Sequence, residues 1–258
     1  MTGATGPMPR DPAALAFGAP RIETVDAARG AALLAMAVYH FSWDLSFLQL
    51  AAIPVATDPG WRWFARIIAG SFLFLVGVSL VLAHGERVRW RSFLKRLAIV
   101  SAAAAGVTVA TWFAFPLAYI YFGILHCIAL SSVLALPFLR LPWWAALAAA
   151  AAVFAIAEIG ASELFNRWPL LWTGLSTRVP FSNDYVPIFP WFAMVLAGVA
   201  AARLLAPWFR EGAIARWSPV GPLGRALTFA GRHSLAIYLL HQPLLLAVLV
   251  PLAWIIGS

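Results

Sequence analysis

Long apolar runs separated by short polar connections form the main pattern of this chain. Crossing the hydrocarbon of a bilayer takes about 20 mostly apolar residues in a helix. Seven runs are near that length, and each predicts a membrane-spanning helix. They lie near 27–50, 65–84, 94–115, 118–138, 142–160, 187–206 and 232–256. The predicted fold is therefore all-α, a polytopic integral-membrane helical bundle with about seven transmembrane helices, eight being the alternative count.

Basic residues mark alternate connections between these runs. The 85–96 and 207–232 connections are rich in arginine, and Arg140 lies in the short turn at 139–141. Because short cytoplasmic loops carry an excess of positive charge, these connections and the N-terminus are predicted to face the cytoplasm. Seven spans then place the C-terminus on the opposite side.

The composition agrees with a membrane protein. Of the 258 residues, 63% are apolar and only 11% are charged, which is too little charge for a soluble domain. The net charge of +8 comes mostly from arginines beside the apolar runs, so it is a topology signal and predicts no nucleic-acid partner. Residues 1–24 lack a signal-peptide pattern and are expected to form a flexible cytoplasmic tail. Residues 25–258 are expected to form a single transmembrane domain.

Three histidines and one aspartate interrupt the apolar runs. His40, His126 and His241 fall about 8–14 residues from the ends of their predicted helices, which places them near the middle of the bilayer. Asp44 follows His40 by four residues, so both lie on one helix face and the carboxylate can orient the imidazole. Ionisable groups inside a bilayer are costly, so all four are candidate catalytic residues. The alternative is that they are polar packing contacts between helices.

Motifs for metal or nucleotide binding are missing from the sequence. It contains no Walker loop, no Rossmann glycine pattern and no HExxH pair, and it has one cysteine, Cys127. Apart from His40 and Asp44, no pair has the spacing of metal ligands. No metal and no tightly bound cofactor are expected.

Arg29 lies at the cytoplasmic start of the first run and has two interpretations. It can pair with Asp26 one turn earlier, or its guanidinium can hold an anionic ligand from the cytosol.

The predicted outer loop at 161–186 is rich in aromatic residues and is followed by the two prolines of VPIFPWF. Such aromatic residues are typical of an interfacial belt, and they equally suit a stacking surface for a sugar. The candidate substrate-binding residues are Trp168, Trp172, Asn183, Asp184, Tyr185 and Trp191.

Four segments together resemble the bacterial members of the heparan-alpha-glucosaminide N-acetyltransferase catalytic-domain family. They are DAARGAALLAMAVYHFSWDL, YIYFGILHCIAL, VPIFPWF and GRHSLAIYLLHQPLL. The spacing of Arg29 and His40 is also similar to that in membrane O-acyltransferases of bacterial surface polysaccharides. The resemblance implies an acyl-CoA donor that enters from the cytosol and an acceptor reached from the opposite face. It also implies that Arg29 and His40 are essential.

These observations favour a multi-pass acyltransferase of the bacterial inner membrane that uses acetyl-CoA or another acyl-CoA as co-substrate. The acceptor would be an amine or hydroxyl of an extracytoplasmic sugar or glycan, and self-association into a homo-oligomer is left open. His40, oriented by Asp44, would act as general base, and His126 or His241 would polarise the thioester or carry the proton. The candidate residues for the phosphates of acyl-CoA are Arg29, Arg87, Arg89, Arg91 and Arg232.

Two alternatives remain from other classes of protein. Buried histidine and aspartate groups also serve as proton relays, which suits a small proton-coupled transporter. A non-catalytic membrane scaffold with polar packing contacts is the second alternative.

Overall fold

Helices account for all the regular secondary structure of the described residues. A computed structural model describes residues 22–210 and 212–256, so the predicted tail at 1–24 lies almost entirely outside the described residues. No β-strand occurs within these two ranges. The α-helices are α1 (Glu23–Phe47), α2 (Pro59–His84), α3 (Trp90–Ala114), α4 (Ile124–Leu134), α5 (Trp143–Ile159), α6 (Ile188–Leu204), α7 (Ala206–Arg210), α8 (Ala213–Arg216), α9 (Gly221–Arg232) and α10 (Ser234–Ile256).

Three of these helices, α2, α3 and α10, are long and apolar enough to cross a membrane. A fourth candidate arises if α6 and the segment Ala206–Arg216, bent by 78° relative to it, form one broken span. Helix α1 has the length, with 25 residues, but His40, Ser42 and Asp44 lower its hydropathy. The all-helical membrane fold is thus confirmed, whereas the count of seven spans stays a prediction.

The predicted span at 118–138 differs most from the structure. Helix α4 has 11 residues, so it is about 16 Å long against a hydrocarbon thickness of about 30 Å. Helix α4 begins only at Ile124, because side chains of α3 form hydrogen bonds with the backbone of the preceding loop. Thr108 Oγ1 donates to the carbonyl of Ile120 at 2.7 Å, and the backbone N–H of Ile120 donates to Thr111 Oγ1 at 3.0 Å. These bonds keep residues 115–123 out of a helix.

Glycines allow two pairs of helices to approach closely. Gly77 of α2 lies against the backbone of Val195 in α6, and Gly198 of α6 lies against the backbone of Phe74 in α2. In the same way, Gly30 of α1 lies against the backbone of Leu227 in α9. The α2–α6 contact forms the centre of the main core, in which Leu73, Leu196 and Val199 are completely buried.

The α2–α6 contact generates a prediction for stability. A Cβ atom at Gly77 would meet the carbonyl oxygen of Val195 and the amide nitrogen of Val199, which are backbone atoms that cannot rotate away. We expect Gly77→Ala to lower the free energy of unfolding by about 1–3 kcal/mol, the usual cost of overpacking. Thermal melting of the detergent-purified protein measures this change.

The matched control is Gly106→Ala, because a Cβ at Gly106 meets no atom within 4 Å. It should leave the melting temperature unchanged or raise it slightly, since alanine has the higher helix propensity. Equal melting temperatures for the two variants would contradict the importance of the close approach.

Candidate active site

The centre of the site is a contact between two histidines on different helices. His40 Nδ1 of α1 lies 2.5 Å from His241 Nε2 of α10, and the imidazole centroids are 4.8 Å apart with the rings nearly parallel. Both residues are half-buried. The structure therefore brings together two of the three histidines that the sequence pattern placed inside the bilayer.

The hydrogen bonds of this pair assign its tautomers. His241 Nδ1 lies 2.6 Å from the carbonyl oxygen of Tyr238. A carbonyl can only accept, so His241 carries its proton on Nδ1 when neutral, and its Nε2 accepts the proton of His40 Nδ1. The chain of donors leaves His40 Nε2 as the unprotonated nitrogen. His40 Nε2 is therefore the basic atom of the pair.

Asp44 has a different partner from the one predicted. Its Oδ1 accepts a 2.7 Å hydrogen bond from Gln242 Nε2, and the residue is 1% exposed. Helix α10 crosses α1 so that His241 and Gln242 oppose His40 and Asp44, respectively. The structure thus does not place Asp44 as the group that orients His40; His241 has that position. The place of Gln242 beside His241 in an apolar helix suggests a cavity-lining residue, but Gln242 is not among the predicted site residues.

His126 lies apart from this pair. Its Nδ1 accepts from the backbone N–H of Gly123 at 3.2 Å, and its Nε2 lies 3.2 Å from Thr108 Oγ1. These contacts cap the first turn of α4, whereas the sequence pattern had placed His126 in the middle of a span. The difference follows from the late start of α4 at Ile124. His126 does not join His40 and His241 in one site.

The start of α1 carries a network of ion pairs. Arg29 donates to Asp26 Oδ1 at 2.7 Å and to Ser79 Oγ of α2 at 2.5 Å. Arg232, at the end of α9, donates to Glu23 Oε1 at 2.7 Å and lies 3.6 Å from Asp26 Oδ2. For Arg29 and Arg232 the structure therefore shows pairing with carboxylates, which is the first of the two interpretations of Arg29.

The other predicted phosphate ligands lie on the connection between α2 and α3. Arg87, Arg89 and Arg91 are all exposed. Arg89 Nε donates to the carbonyl of Ala83 at 3.1 Å, which fixes that side chain against the end of α2. The contact of Arg29 with Ser79 places the start of α1 near the end of α2, so all five predicted arginines lie towards one end of the bundle.

Trp168 and Trp172 line a cavity of about 460 Å³ at the opposite end of α3. The ring centroids of Trp168 and Tyr121 are 4.7 Å apart, and those of Trp172 and Phe122 are 6.2 Å apart. The full lining is Thr108, Trp112, Tyr119, Tyr121, Phe122, Trp168, Pro169 and Trp172. Two of the predicted substrate-binding residues thus meet in an aromatic cavity with a threonine hydroxyl in its wall.

The remaining predicted substrate-binding residues lie around this cavity or away from it. Tyr185 has its ring centroid 6.0 Å from that of Tyr121 and donates to the carbonyl of Leu171 at 2.7 Å. Asn183 bonds through its backbone N–H to the carbonyl of Ala118 at 2.8 Å. Trp191 packs against the main core instead of lining the cavity.

Asp184 caps α4 from the loop before α6. Its Oδ2 accepts a 2.9 Å hydrogen bond from the backbone N–H of Ile124. Burial raises the pKa of Asp184 to about 6, and the hydrogen bond from Ile124 opposes that shift only in part. The main role of Asp184 in the structure is to fix the start of α4.

A second cavity, of about 370 Å³, opens beside the histidine pair. Its wall is apolar except for His241, and its lining comes from α1 and α10. The residues are Ala37, Phe41, His241, Leu244, Leu245, Val248 and Leu249. An apolar group can therefore lie next to the imidazole of His241.

Within residues 22–210 and 212–256, no group of three or more His, Cys, Asp or Glu side chains is arranged to hold a metal ion. The prediction that the protein has no metal stays a prediction.

The structure is that of a helical membrane protein, because α2, α3 and α10 are long and apolar enough to cross a membrane. It contains an ionisable site, the pair of contacting histidines on α1 and α10. The family model described as "Heparan-alpha-glucosaminide N-acetyltransferase, catalytic" matches residues 21–243, and the chain belongs to this family. The resemblance seen in the sequence segments is thereby confirmed, and the family indicates a membrane acetyltransferase. Neither the curated proteins nor the solved structures gave a match.

Asp184 makes the stability of the protein depend on pH. Its pKa of about 6 in the folded protein exceeds its usual value of about 3.9, so the folded state binds the proton more tightly. The resulting stabilisation, about 1–3 kcal/mol, is complete below about pH 4 and is lost as the pH rises through 6. Thermal melting between pH 4 and 8 should show this loss, and Asp184→Asn should remove it.

Glu163→Gln is the control, because it neutralises an exposed carboxylate in the same region of the chain. This variant should keep the wild-type dependence of melting temperature on pH. The prediction fails if Asp184→Asn keeps it as well.

Proposed function

We propose that this protein is an acyltransferase of the bacterial inner membrane, with its N-terminus in the cytoplasm and about seven spans. It would move an acetyl or other acyl group from cytosolic acyl-CoA to an amine or hydroxyl of an extracytoplasmic sugar or glycan. Family membership supports the transferase class. The observation that carries the mechanism is the 2.5 Å contact between His40 and His241, since it leaves His40 Nε2 as a basic nitrogen. The partner histidine, His241, lines an apolar cavity.

His40 Nε2 acts as the general base in this mechanism. It takes the proton from the acceptor N–H or O–H while that atom attacks the thioester carbonyl carbon. The carbon–sulfur bond then breaks, and the proton passes from His40 to the departing CoA thiolate. The products are the acylated acceptor and CoA with a free thiol, so His40 is regenerated.

His241 stabilises the charge that His40 gains. When His40 is protonated, both of its nitrogens are donors, and its Nδ1–H already points at His241 Nε2. A hydrogen bond from a charged donor is roughly twice as strong as a neutral one. The Tyr238 carbonyl keeps His241 in the tautomer that can accept.

The arginine-rich end of the bundle would bind the phosphates of acyl-CoA. Arg87 and Arg91 are exposed and are the first candidates. Arg89 offers its terminal nitrogens, because its Nε is held by Ala83. Arg29 and Arg232 can contribute only by exchanging a carboxylate partner for a phosphate, since both are ion-paired.

The aromatic cavity would bind the acceptor sugar. Indole and phenol rings provide apolar surface in the wall of the cavity, and Thr108 adds a hydroxyl. Tyr238 packs against the main core, which also contains Ile124 at the start of α4, and it lies beside the histidine pair. The centroid of the Tyr238 ring is 5.8 Å from that of His241.

A proton-coupled transporter is the second candidate function. The hydrogen-bonded histidine pair between two helices of a membrane protein favours it, since such groups also relay protons. Proton-driven solute uptake into proteoliposomes without acyl-CoA would support the transporter. Transfer of a labelled acetyl group would support the enzyme. If the protein shows neither activity, the non-catalytic scaffold is the remaining alternative.

The histidine mechanism predicts a specific loss of activity. We expect His40→Ala to lower acyl transfer by about 100-fold or more, because removing a general base costs 10²–10⁴-fold. Transfer is measured with radiolabelled acetyl-CoA and a panel of amino sugars, using detergent-purified protein. Binding of acetyl-CoA, measured by calorimetry, should be unchanged.

The matched control is His233→Ala, which removes an exposed histidine at the junction of α9 and α10. It should transfer the acyl group at the wild-type rate. Normal transfer by His40→Ala would refute the mechanism.

The acceptor cavity predicts a change in KM. We expect Trp168→Ala to raise the KM for the amino sugar about twofold to tenfold, since an aromatic contact contributes about 0.5–1.5 kcal/mol. The KM for acetyl-CoA should stay the same, because the cavity lies at the end opposite the arginines. Steady-state kinetics with each substrate varied in turn separates the two effects.

Trp208→Ala, in the exposed helix α7, serves as the control and should change neither constant. Wild-type kinetics of Trp168→Ala would refute the hypothesis that the sugar binds in this cavity.

A further inference from the structure

A second polar contact joins α1 and α10 one helical turn from the histidine pair. Gln242 Nε2 donates to Asp44 Oδ1 at 2.7 Å. The other oxygen of each group, Asp44 Oδ2 and Gln242 Oε1, is buried and has no hydrogen-bond partner among the described residues. Each of these two hydrogen-bonded side chains therefore has one acceptor oxygen without a donor among the described residues. Buried polar groups are normally paired, so this arrangement requires an explanation.

Asp44 also has no positively charged partner among the described residues. The arginines near the start of α1 pair instead with Glu23 and Asp26. The residue is 1% exposed, so bulk solvent does not reach its carboxylate. An ionised carboxylate without a counter-charge is strongly disfavoured in an apolar environment, and the usual outcome is uptake of a proton.

A single proton supplies the missing donor for both oxygens. A carboxylic acid and a primary amide are complementary, because each group then has one donor and one acceptor facing the other. The amide N–H already donates to Asp44 Oδ1. A proton on Asp44 Oδ2 would donate to Gln242 Oε1 and close a ring of two hydrogen bonds.

We propose that Asp44 is a neutral carboxylic acid that forms a two-bond pair with Gln242, and that this pair is a positioning device for the histidines. Asp44 follows His40 by one turn on α1, and Gln242 is the neighbour of His241 on α10. Two hydrogen bonds restrict both rotation and sliding of α10 against α1, whereas one bond permits rotation about it. The pair thereby fixes the contact between His40 Nδ1 and His241 Nε2.

The neutral state also has a consequence for the base, which rests on the proposed function. A negative carboxylate one turn from His40 would favour the protonated imidazolium, and an imidazolium cannot take a proton from the acceptor. A neutral Asp44 leaves His40 free to act as a base. Asp44 is thus a positioning residue and not a charged member of a catalytic triad.

Infrared difference spectroscopy tests the protonation directly and needs no enzymatic activity. The spectrum of Asp44→Asn is subtracted from that of the wild-type protein, both in detergent at pH 7. We expect the difference to contain the carbonyl band of a protonated carboxylic acid. A difference spectrum that contains a carboxylate band instead would overturn the proposal. The same carboxylate band would appear if a bound cation contacted the two oxygens.

Glu163→Gln is the spectroscopic control, because Glu163 is exposed to solvent. Its difference spectrum should contain a carboxylate band only. Gln242→Leu removes the amide partner and should shift the carboxylic acid band of Asp44, since the hydrogen bonds to it are lost.

Rescue by the isosteric amide distinguishes positioning from charge. An asparagine at position 44 keeps the ring, since its Nδ2–H can donate to Gln242 Oε1 and its Oδ1 can accept from Nε2. We therefore expect Asp44→Asn to keep the melting temperature and to retain acyl transfer within about twofold, while Asp44→Ala loses about tenfold or more in transfer. Asp44→Asn as inactive as Asp44→Ala would overturn the positioning role.

The measurements separate this inference from the proposed function. If the wild-type protein transfers no acyl group, the proposed function fails, but the infrared band and the melting temperatures of the Asp44 variants still decide whether the neutral pair exists.

Discussion

The absence of water in hydrocarbon is the constraint on which the rest of this structure depends. Polar side chains on a membrane helix must find partners on a neighbouring helix, because the bilayer offers none. Helix α1 carries His40 and Asp44 on one face, and on α10 His241 contacts His40 and Gln242 donates a hydrogen bond to Asp44. The two contacts are one turn apart on α1, involve consecutive residues on α10, and hold the helices in a single register. The same constraint that fixes the packing therefore also creates the candidate site.

Contacts at the other end of α1 support this register. Gly30 lets α1 approach the backbone of α9, and Arg232 pairs with Glu23. Helix α9 ends at Arg232 and α10 begins at Ser234, so the ion pair also fixes where α10 starts. Because α10 is a helix of fixed rise, its starting point determines the height of His241. The charged start of α1 and the polar residues in its second half thus act together.

The distribution of polar and aromatic groups gives the bundle two chemically different ends. Arginines lie towards the start of α1 and suit an anionic donor, whereas the aromatic cavity at the far end of α3 suits a ring-shaped acceptor. The histidine pair lies on α1 and α10, about 16 Å along α1 from Arg29 by the rise of a helix. An apolar cavity adjoins His241 at that position along the bundle. This arrangement agrees with a family of membrane acetyltransferases.

The sequence by itself determined the helical membrane fold, the approximate limits of the long helices α1, α2, α3 and α10, and the family. Runs of apolar residues and short motifs are local properties. It also determined that His40 and Asp44 share a face, since that follows from helix periodicity. Only the tertiary structure decided which helix opposes that face. Asp44 therefore bonds to Gln242 instead of His40, a result that depends on the crossing of α1 and α10. The late start of α4, which removes His126 from the site, likewise depends on side-chain bonds from α3 that no periodicity reveals.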